Sequence, residues 1–437
     1  MARLVHGARV AMLRSSTVAT LLALVLAACA ADDAQPPEQG CTDRGKCDGT
    51  ELAPRWNVND VSLLFPLPAR YADTGQLLAA QNAGDDGTLV TLLPESVFEL
   101  LGTEAMHLIE SPLQTMLYDK LRVTPVRFDP CLEQRTPDQH CRRAIRLVMQ
   151  PVWPDGNAED SYEVFDASLH LFYELDDDAF VKLLVDYQAL IGDERLAQAL
   201  YVHPILEREG LDGAFAQALR RLLIANANEA SLIRMTFMAT GRSGNNWFWG
   251  MFDRDDNGNW IQSLIPTLGF KGDGFERPPT LDPPPDTATE PFPFAMLWDS
   301  GVDRMTDAQL LDAAAQVYRI ENPTITDSTN IRCRDCHLAS RTLDYAFARR
   351  GLTLPEDLEY TPPLGQNVIV RDTDHRRRNN MHGFSYFEQQ PSIMRRVVKD
   401  SAAVADFLAS GAFAETLSPA ARAAWDTSPA SISPDEQ

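Results

Sequence analysis

The stretch from Arg277 to Phe294 limits how this chain can fold more than any other feature, because seven of its 18 residues are proline. Proline lacks a backbone N–H and fixes φ, so neither a helix nor a central strand continues through such a run. At 437 residues the chain is long enough for two or three domains of about 150 residues. We therefore predict an extended linker at 277–295 between one domain at 55–276 and a second at 296–412.

The segment from 55 to 276 mixes strand and helix patterns without a βαβ rhythm. Apolar residues at every second position predict a strand at Ser168–Leu175, on which His170 is expected to face solvent. Acidic residues at the start of the next apolar pattern predict a helix that begins near Asp176. A strand pattern that turns at Asn257-Gly258 predicts a β-hairpin. These patterns predict an acidic α+β domain whose role the sequence leaves open.

Two of the chain's seven cysteines lie in the pentapeptide Cys333-Arg334-Asp335-Cys336-His337. This is the spacing of covalent c-type haem attachment. Two thiols separated by two residues add across the haem vinyl groups, and the histidine that follows reaches the iron from the same side. Because this chemistry requires the spacing, the pentapeptide is a specific signal for one covalent haem c.

Residues 305–410 as a whole resemble a small monohaem cytochrome c domain. The match consists of an amphipathic helix at 306–319, the pentapeptide, a Pro-rich loop, Met381 with His382, and a closing helix at 401–409. The resemblance implies a small, mainly α-helical domain in which His337 is the proximal iron ligand. It also implies Met381 or His382 as the distal ligand.

The function implied by this resemblance is one-electron transfer with a redox partner protein, without a catalytic residue. Two alternatives stay open. In the first, the chain is a partner-binding or ligand-binding envelope lipoprotein with a structural haem. In the second, it is a haem peroxidase-like enzyme with an open sixth position on the iron. Low-spin spectral bands favour electron transfer, whereas high-spin bands favour catalysis or ligand binding.

Three other metal or redox chemistries use the same residue types. A thioredoxin-type dithiol needs an activated cysteine at a strand-to-helix junction, whereas a helix and a loop precede Cys333. A structural zinc site needs four ligands, and no second cysteine pair lies near the pentapeptide. The run Asp253–Gly258 matches the first half of a calcium loop, but Leu264 stands where the bidentate Glu belongs.

The N-terminus has the features of an export signal. Arg3, Arg9 and Arg14 precede a short apolar run that ends Leu26-Ala27-Ala28-Cys29, and this ending resembles the lipobox of bacterial lipoproteins. We therefore expect a signal peptide at 1–28, a lipid on Cys29, and a flexible tether at 29–54. The protein would lie in the cell envelope, anchored at a bacterial membrane and facing the periplasm or the cell surface.

Charge and the remaining cysteines complete the predictions. A net charge of −23 argues against nucleic acid as a partner. In an oxidising compartment the four other cysteines are expected to form two local disulfides, Cys41 with Cys47 and Cys131 with Cys141.

Two further expectations concern the second half of the chain. A basic surface cluster is expected at Arg395, Arg396 and Lys399. Residues 413–437 are expected to form a loose polar tail.

Overall fold

The computed structural model describes residues 56–84, 86–101, 117–132, 141–155, 160–165, 167–192, 199–240, 246–264, 272–276, 299–327, 330–362, 382–387 and 389–430. All of them belong to one compact unit that begins at Glu51. The predicted signal, tether and Pro-rich linker lie outside the described residues, as do Cys29, Cys41, Cys47 and Met381. Among the described helices, none has the length and apolar character needed to span a membrane.

The elements before the Pro-rich stretch are, in chain order, α1 (Val58–Val61), β1 (Ser62–Leu64), β2 (Gln81–Ala83), β3 (Leu89–Thr91), α2 (Glu95–Leu100), β4 (Leu121–Asp129), β5 (Arg143–Pro154), β6 (Tyr162–Val164), β7 (Ser168–Leu175), α3 (Asp177–Ile191), α4 (Pro204–Glu209), α5 (Ala214–Asn226), β8 (Leu232–Thr240), β9 (Asn246–Arg254), β10 (Trp260–Gln262) and β11 (Gly272–Glu276). Those after it are α6 (Asp299–Arg304), α7 (Asp307–Glu321), α8 (Cys333–Arg350), β12 (Phe384–Phe387), β13 (Gln390–Ile393), α9 (Arg395–Ala409), α10 (Gly411–Glu415) and α11 (Pro419–Asp426).

A large antiparallel sheet organises the described part of the chain. Its strands follow the order β1-β4-β5-β7-β8-β9-β10, with β6 added to β5 and β11 added to β9. Neighbouring strands are antiparallel throughout. The predicted α+β class is therefore confirmed.

Local signals in the sequence placed several of these elements correctly. The alternating pattern forms β7, and the Asp176 carboxylate caps α3 by accepting a hydrogen bond from the Ala179 amide at 2.8 Å. The hairpin of β9 and β10 turns where expected, with Gly258 at φ +84°. In that turn the Asp255 carboxylate accepts backbone hydrogen bonds from Asn257 and Asn259. The turn therefore uses the side chain that a calcium loop would need as a ligand.

Both faces of the sheet are covered. One face packs against α3 and α5, and the same core includes Ala405, Phe413 and Trp425 from the end of the chain. On the other face, Trp247 and Trp249 of β9 pack against apolar residues of α7 and α8. Residues before and after the Pro-rich stretch therefore share their hydrophobic cores.

The end of the chain differs from the expected polar tail. Helices α10 and α11 form within it, and residues four positions apart are buried, namely Phe413, Leu417, Ala421 and Trp425. Trp425 stacks on Trp56 with ring centroids 6.4 Å apart and meets Phe413 edge to face at 4.8 Å. The tail prediction is wrong for residues 413–426, because a few well-spaced apolar side chains bury this mostly polar segment.

A buried group of charges joins α7, α8 and α9. The Glu321 carboxylate lies 3.1 Å from the Arg395 guanidinium and 2.6 Å from Lys399 Nζ, and all three side chains are almost fully buried. The Ser340 hydroxyl donates a third hydrogen bond to Glu321 at 2.7 Å. Burial alone would raise the pKa of Glu321, but the two cations outweigh it and hold that pKa below its usual value.

This buried group overturns the prediction of a basic surface cluster at the start of α9. Arg395 and Lys399 lie inside, and Arg396 is 8% exposed and donates hydrogen bonds to the carbonyl oxygens of Ile320 and Thr326. The predicted closing helix is correspondingly longer than expected, since α9 begins at Arg395 and not at residue 401. The basic residues of α9 hold this helix against α7 through buried ion pairs and hydrogen bonds.

Candidate functional site

The pentapeptide forms the first turn of α8. Arg332, the N-cap residue, pairs its guanidinium with the Asp335 carboxylate at 2.8 and 3.2 Å, and both side chains are buried. An acidic residue in the first turn also suits the positive end of the helix dipole. These contacts fix the turn that carries Cys333, Cys336 and His337.

Both cysteines of the pentapeptide are thiols that keep some solvent-accessible surface. Cys333, Cys336 and the neighbouring His337 are each half-buried, and the two cysteines are not joined in a disulfide. Burial is the main reason that the pKa of the Cys336 thiol is raised.

The sheet face opposite the pentapeptide contributes an aromatic ring and a histidine. Trp249 of β9 lies against His337, with ring centroids 5.7 Å apart. Strand pairing places His170 of β7 on the same face as Trp249, because Ser168 pairs with Met238 and Met238 pairs with Trp249.

His170 departs in part from the sequence prediction of a solvent-facing side chain. Its pKa lies well below the usual 6.5, first because of burial and then because of the positive charges of Arg146, His337 and His382. The side chain nevertheless keeps accessible surface. The expected solvent-facing position is therefore met only in part.

The segment that begins at His382 lies beside the histidine of the pentapeptide. A Cβ atom added at Gly383 would lie 4.0 Å from His337 Cε1, so a side chain at this position would touch the imidazole. Gln150 of β5 holds the segment on the sheet, since its side chain bonds both backbone groups of Tyr386, at 2.9 and 2.8 Å. The fold thus brings the predicted distal segment next to the pentapeptide.

His382 itself is held inside the protein. It is 1% exposed, and the Ser385 hydroxyl lies 2.8 Å from its Nδ1 atom. Its carbonyl oxygen accepts a hydrogen bond of 2.7 Å from Arg341 of α8. Met381, the other predicted distal ligand, lies outside the described residues.

Among the other predicted site residues, Cys131 and Cys141 form the expected disulfide. Cys29 and the pair Cys41 and Cys47 stay predictions, since they lie outside the described residues. Within the described ranges, no group of three or more His, Cys, Asp or Glu side chains is arranged to hold a metal ion. A haem iron, however, receives four ligands from the porphyrin and needs at most two from the protein.

The residues of the pentapeptide and its surroundings fit a covalent haem. Two accessible thiols lie one helical turn apart on α8, the histidine that follows them keeps accessible surface beside Trp249, and His170 lies on the same sheet face as Trp249. Comparison of the chain with protein-family models, with curated proteins and with solved structures gives no match.

Proposed function

We propose that this protein is an exported, lipid-anchored monohaem c-type cytochrome that transfers single electrons in the bacterial cell envelope. The observation that carries the proposal is the placement of Cys333, Cys336 and His337 on one helical turn that the buried Arg332–Asp335 ion pair anchors. In this proposal the protein exchanges electrons with a redox partner protein and is a carrier more than a catalyst.

The roles of the three residues follow from their chemistry. Each thiol adds its sulfur and its hydrogen across one vinyl group of the haem, so two thioether bonds form without an oxidant. The raised pKa of Cys336 is consistent with a thiol that still carries its proton. His337 would bind the iron on the proximal side, and the iron supplies the one-electron chemistry.

Residues 296–412 would be the haem-carrying part of the molecule. Helices α7 and α9 correspond to the two helices on which the resemblance to a small cytochrome c domain is based, at 306–319 and 401–409. The proposed domain rests on the sheet and is not separated from it, because its helices pack against Trp247 and Trp249. The sheet therefore belongs to the surroundings of the haem.

Covalent haem is the test of this proposal. When the full chain is produced with the c-haem maturation machinery, the wild-type band is expected to keep its haem stain through denaturing electrophoresis. Cys333→Ala combined with Cys336→Ala should lose the stain completely. The matched control is Cys131→Ala with Cys141→Ala, which also removes two cysteines but should keep the stain. An unstained wild-type band would overturn the proposal.

Lipid anchoring through Cys29 is a second expected property. Cys29→Ala should move the protein from the detergent-extracted membrane fraction to the soluble fraction, because the lipid is the proposed anchor. Fractionation followed by haem staining measures both properties in one gel. If the variant stays in the membrane fraction to the same extent as the wild type, Cys29 is not the anchor.

A further inference from the structure

Trp249 of β9 is a sheet residue whose ring lies against the histidine of the pentapeptide. Its ring centroid is 5.7 Å from that of His337, and the two ring planes are inclined by 37°. Cys333, at the other end of the pentapeptide, packs against the same hydrophobic cluster to which Trp249 belongs. The sheet therefore meets α8 at the turn that carries the proposed haem ligand.

The surroundings of Trp249 hold its ring in place. Its backbone lies in the interior of the sheet, where it pairs with Met238 of β8 on one side and with Asp273 of β11 on the other. The side chain is 2% exposed, and Trp247, two residues earlier on the same face, belongs to the same cluster. Because a ring packed in this way cannot turn aside, it limits the orientations that the His337 imidazole can take.

The indole N–H of Trp249 is a second observation, and it points to a bound group. The Nε1 atom is buried and has no hydrogen-bond partner among the described residues. A buried donor without an acceptor costs free energy, so packing alone does not explain a tryptophan at this position. An iron-bound His337 does not supply the acceptor, because its second ring nitrogen then carries a proton. A haem, in contrast, carries two propionate carboxylates, which accept hydrogen bonds.

We infer that Trp249 is a positioning residue of the haem site, whose ring sets the orientation in which His337 presents its imidazole to the iron. The inference rests on the proposed function and gives the region 55–276 a definite role in it. Residues that contact a metal-binding histidine fix the orientation of its ring and thereby tune the metal. For a ferric haem this orientation affects the g values in electron paramagnetic resonance, so a single orientation gives a single set of g values.

Electron paramagnetic resonance of the full-length matured ferric protein tests this inference. The wild type should give one set of g values. Trp249→Leu should keep its haem stain, because the thioether bonds do not depend on the indole. Its signals should broaden or split into more than one set of g values, and its reduction potential should shift. Trp249→Phe keeps a flat ring against His337 and should retain the wild-type spectrum.

The matched control is Trp247→Leu, which removes an indole from the same strand, the same face and the same cluster. This variant should retain the wild-type spectrum even where its stability is lower. An unchanged spectrum in Trp249→Leu, an equal change in Trp247→Leu, or a Trp249→Phe spectrum that changes as much as that of Trp249→Leu would each overturn the inference.

A measurement without a destabilising variant keeps the inference testable if Trp249→Leu does not accumulate. In protein labelled with 5-fluorotryptophan, the fluorine resonance that Trp249→Phe removes belongs to Trp249. It should shift more between the ferric and ferrous states than the resonance of Trp153, because the paramagnetic iron acts at short range. An equal or smaller shift would overturn the inference, whereas a wild type without covalent haem would overturn the proposed function.

Discussion

Replacing Glu321 by glutamine is expected to lower the free energy of unfolding by about 3 kcal/mol. The carboxylate is fully buried between Arg395 and Lys399, and the substitution leaves both cations inside with less compensation. The side-chain volume and the capacity to accept a bond from Ser340 are kept, so the loss reports on charge and not on a cavity. Urea unfolding of the wild type and of Glu321→Gln at neutral pH measures the difference.

The control for this prediction is an ion pair on the protein surface, where both side chains are exposed to solvent. Asp303 pairs with Arg349 at 2.9 Å, but both side chains are largely exposed, so Asp303→Asn should cost less than about 1 kcal/mol.

The pKa of Glu321 is lower in the folded protein than in the unfolded chain. The contribution of Glu321 to the free energy of unfolding is therefore full above the unfolded pKa and is lost as pH falls through the folded pKa. The difference between wild type and Glu321→Gln should therefore shrink in acid. Equal stabilities at neutral pH would contradict the prediction.

Elements with local signals could be predicted from the sequence. The alternation of β7, the cap at Asp176 and the turn at Gly258 each depend on residues within a few positions of one another. The same is true of α7, where the Thr306 hydroxyl accepts from the Gln309 amide and the Gln309 side chain accepts from the Thr306 amide. Such contacts need no knowledge of the rest of the chain.

Long-range partners could not be predicted in the same way. The basic residues of α9 look like a surface cluster in the sequence, because Glu321, the buried carboxylate that contacts both Arg395 and Lys399, lies 74 and 78 residues away. Nothing in the local pattern distinguishes a solvated cation from a buried one with a distant partner. The order of the strands in the sheet and the covering of its second face also depend on residues that are far apart in the sequence.

The candidate site was predictable only in part. The pentapeptide and its neighbour segment near Gly383 were identified, because the spacing of Cys333, Cys336 and His337 is dictated by chemistry. The partial burial of His170 was missed, although Phe172 carried a signal. An apolar residue on the supposedly solvent-facing side of β7 breaks the alternation, and Phe172 is indeed 4% exposed. A strand that is apolar on both sides indicates that both faces of the sheet are covered.

The C-terminal helices give the largest expected effect on packing. Trp425→Ala should lower the free energy of unfolding by about 3 to 5 kcal/mol, since a fully buried indole leaves a cavity that the core fills only in part. The ring is 2% exposed and contacts Trp56, near the start of the described chain, and Phe413. Through these contacts α11 joins the two ends of the folded unit.

Trp153 near the end of β5 provides the matched control, because it is the same residue type but only half-buried. Trp153→Ala should cost about 1 kcal/mol, as it removes a ring whose aromatic contact is with the exposed Phe165. Urea unfolding compares the two variants directly, and haem staining shows whether both are matured. If Trp425→Ala were no less stable than Trp153→Ala, α10 and α11 would be the loose tail that their polar composition indicates.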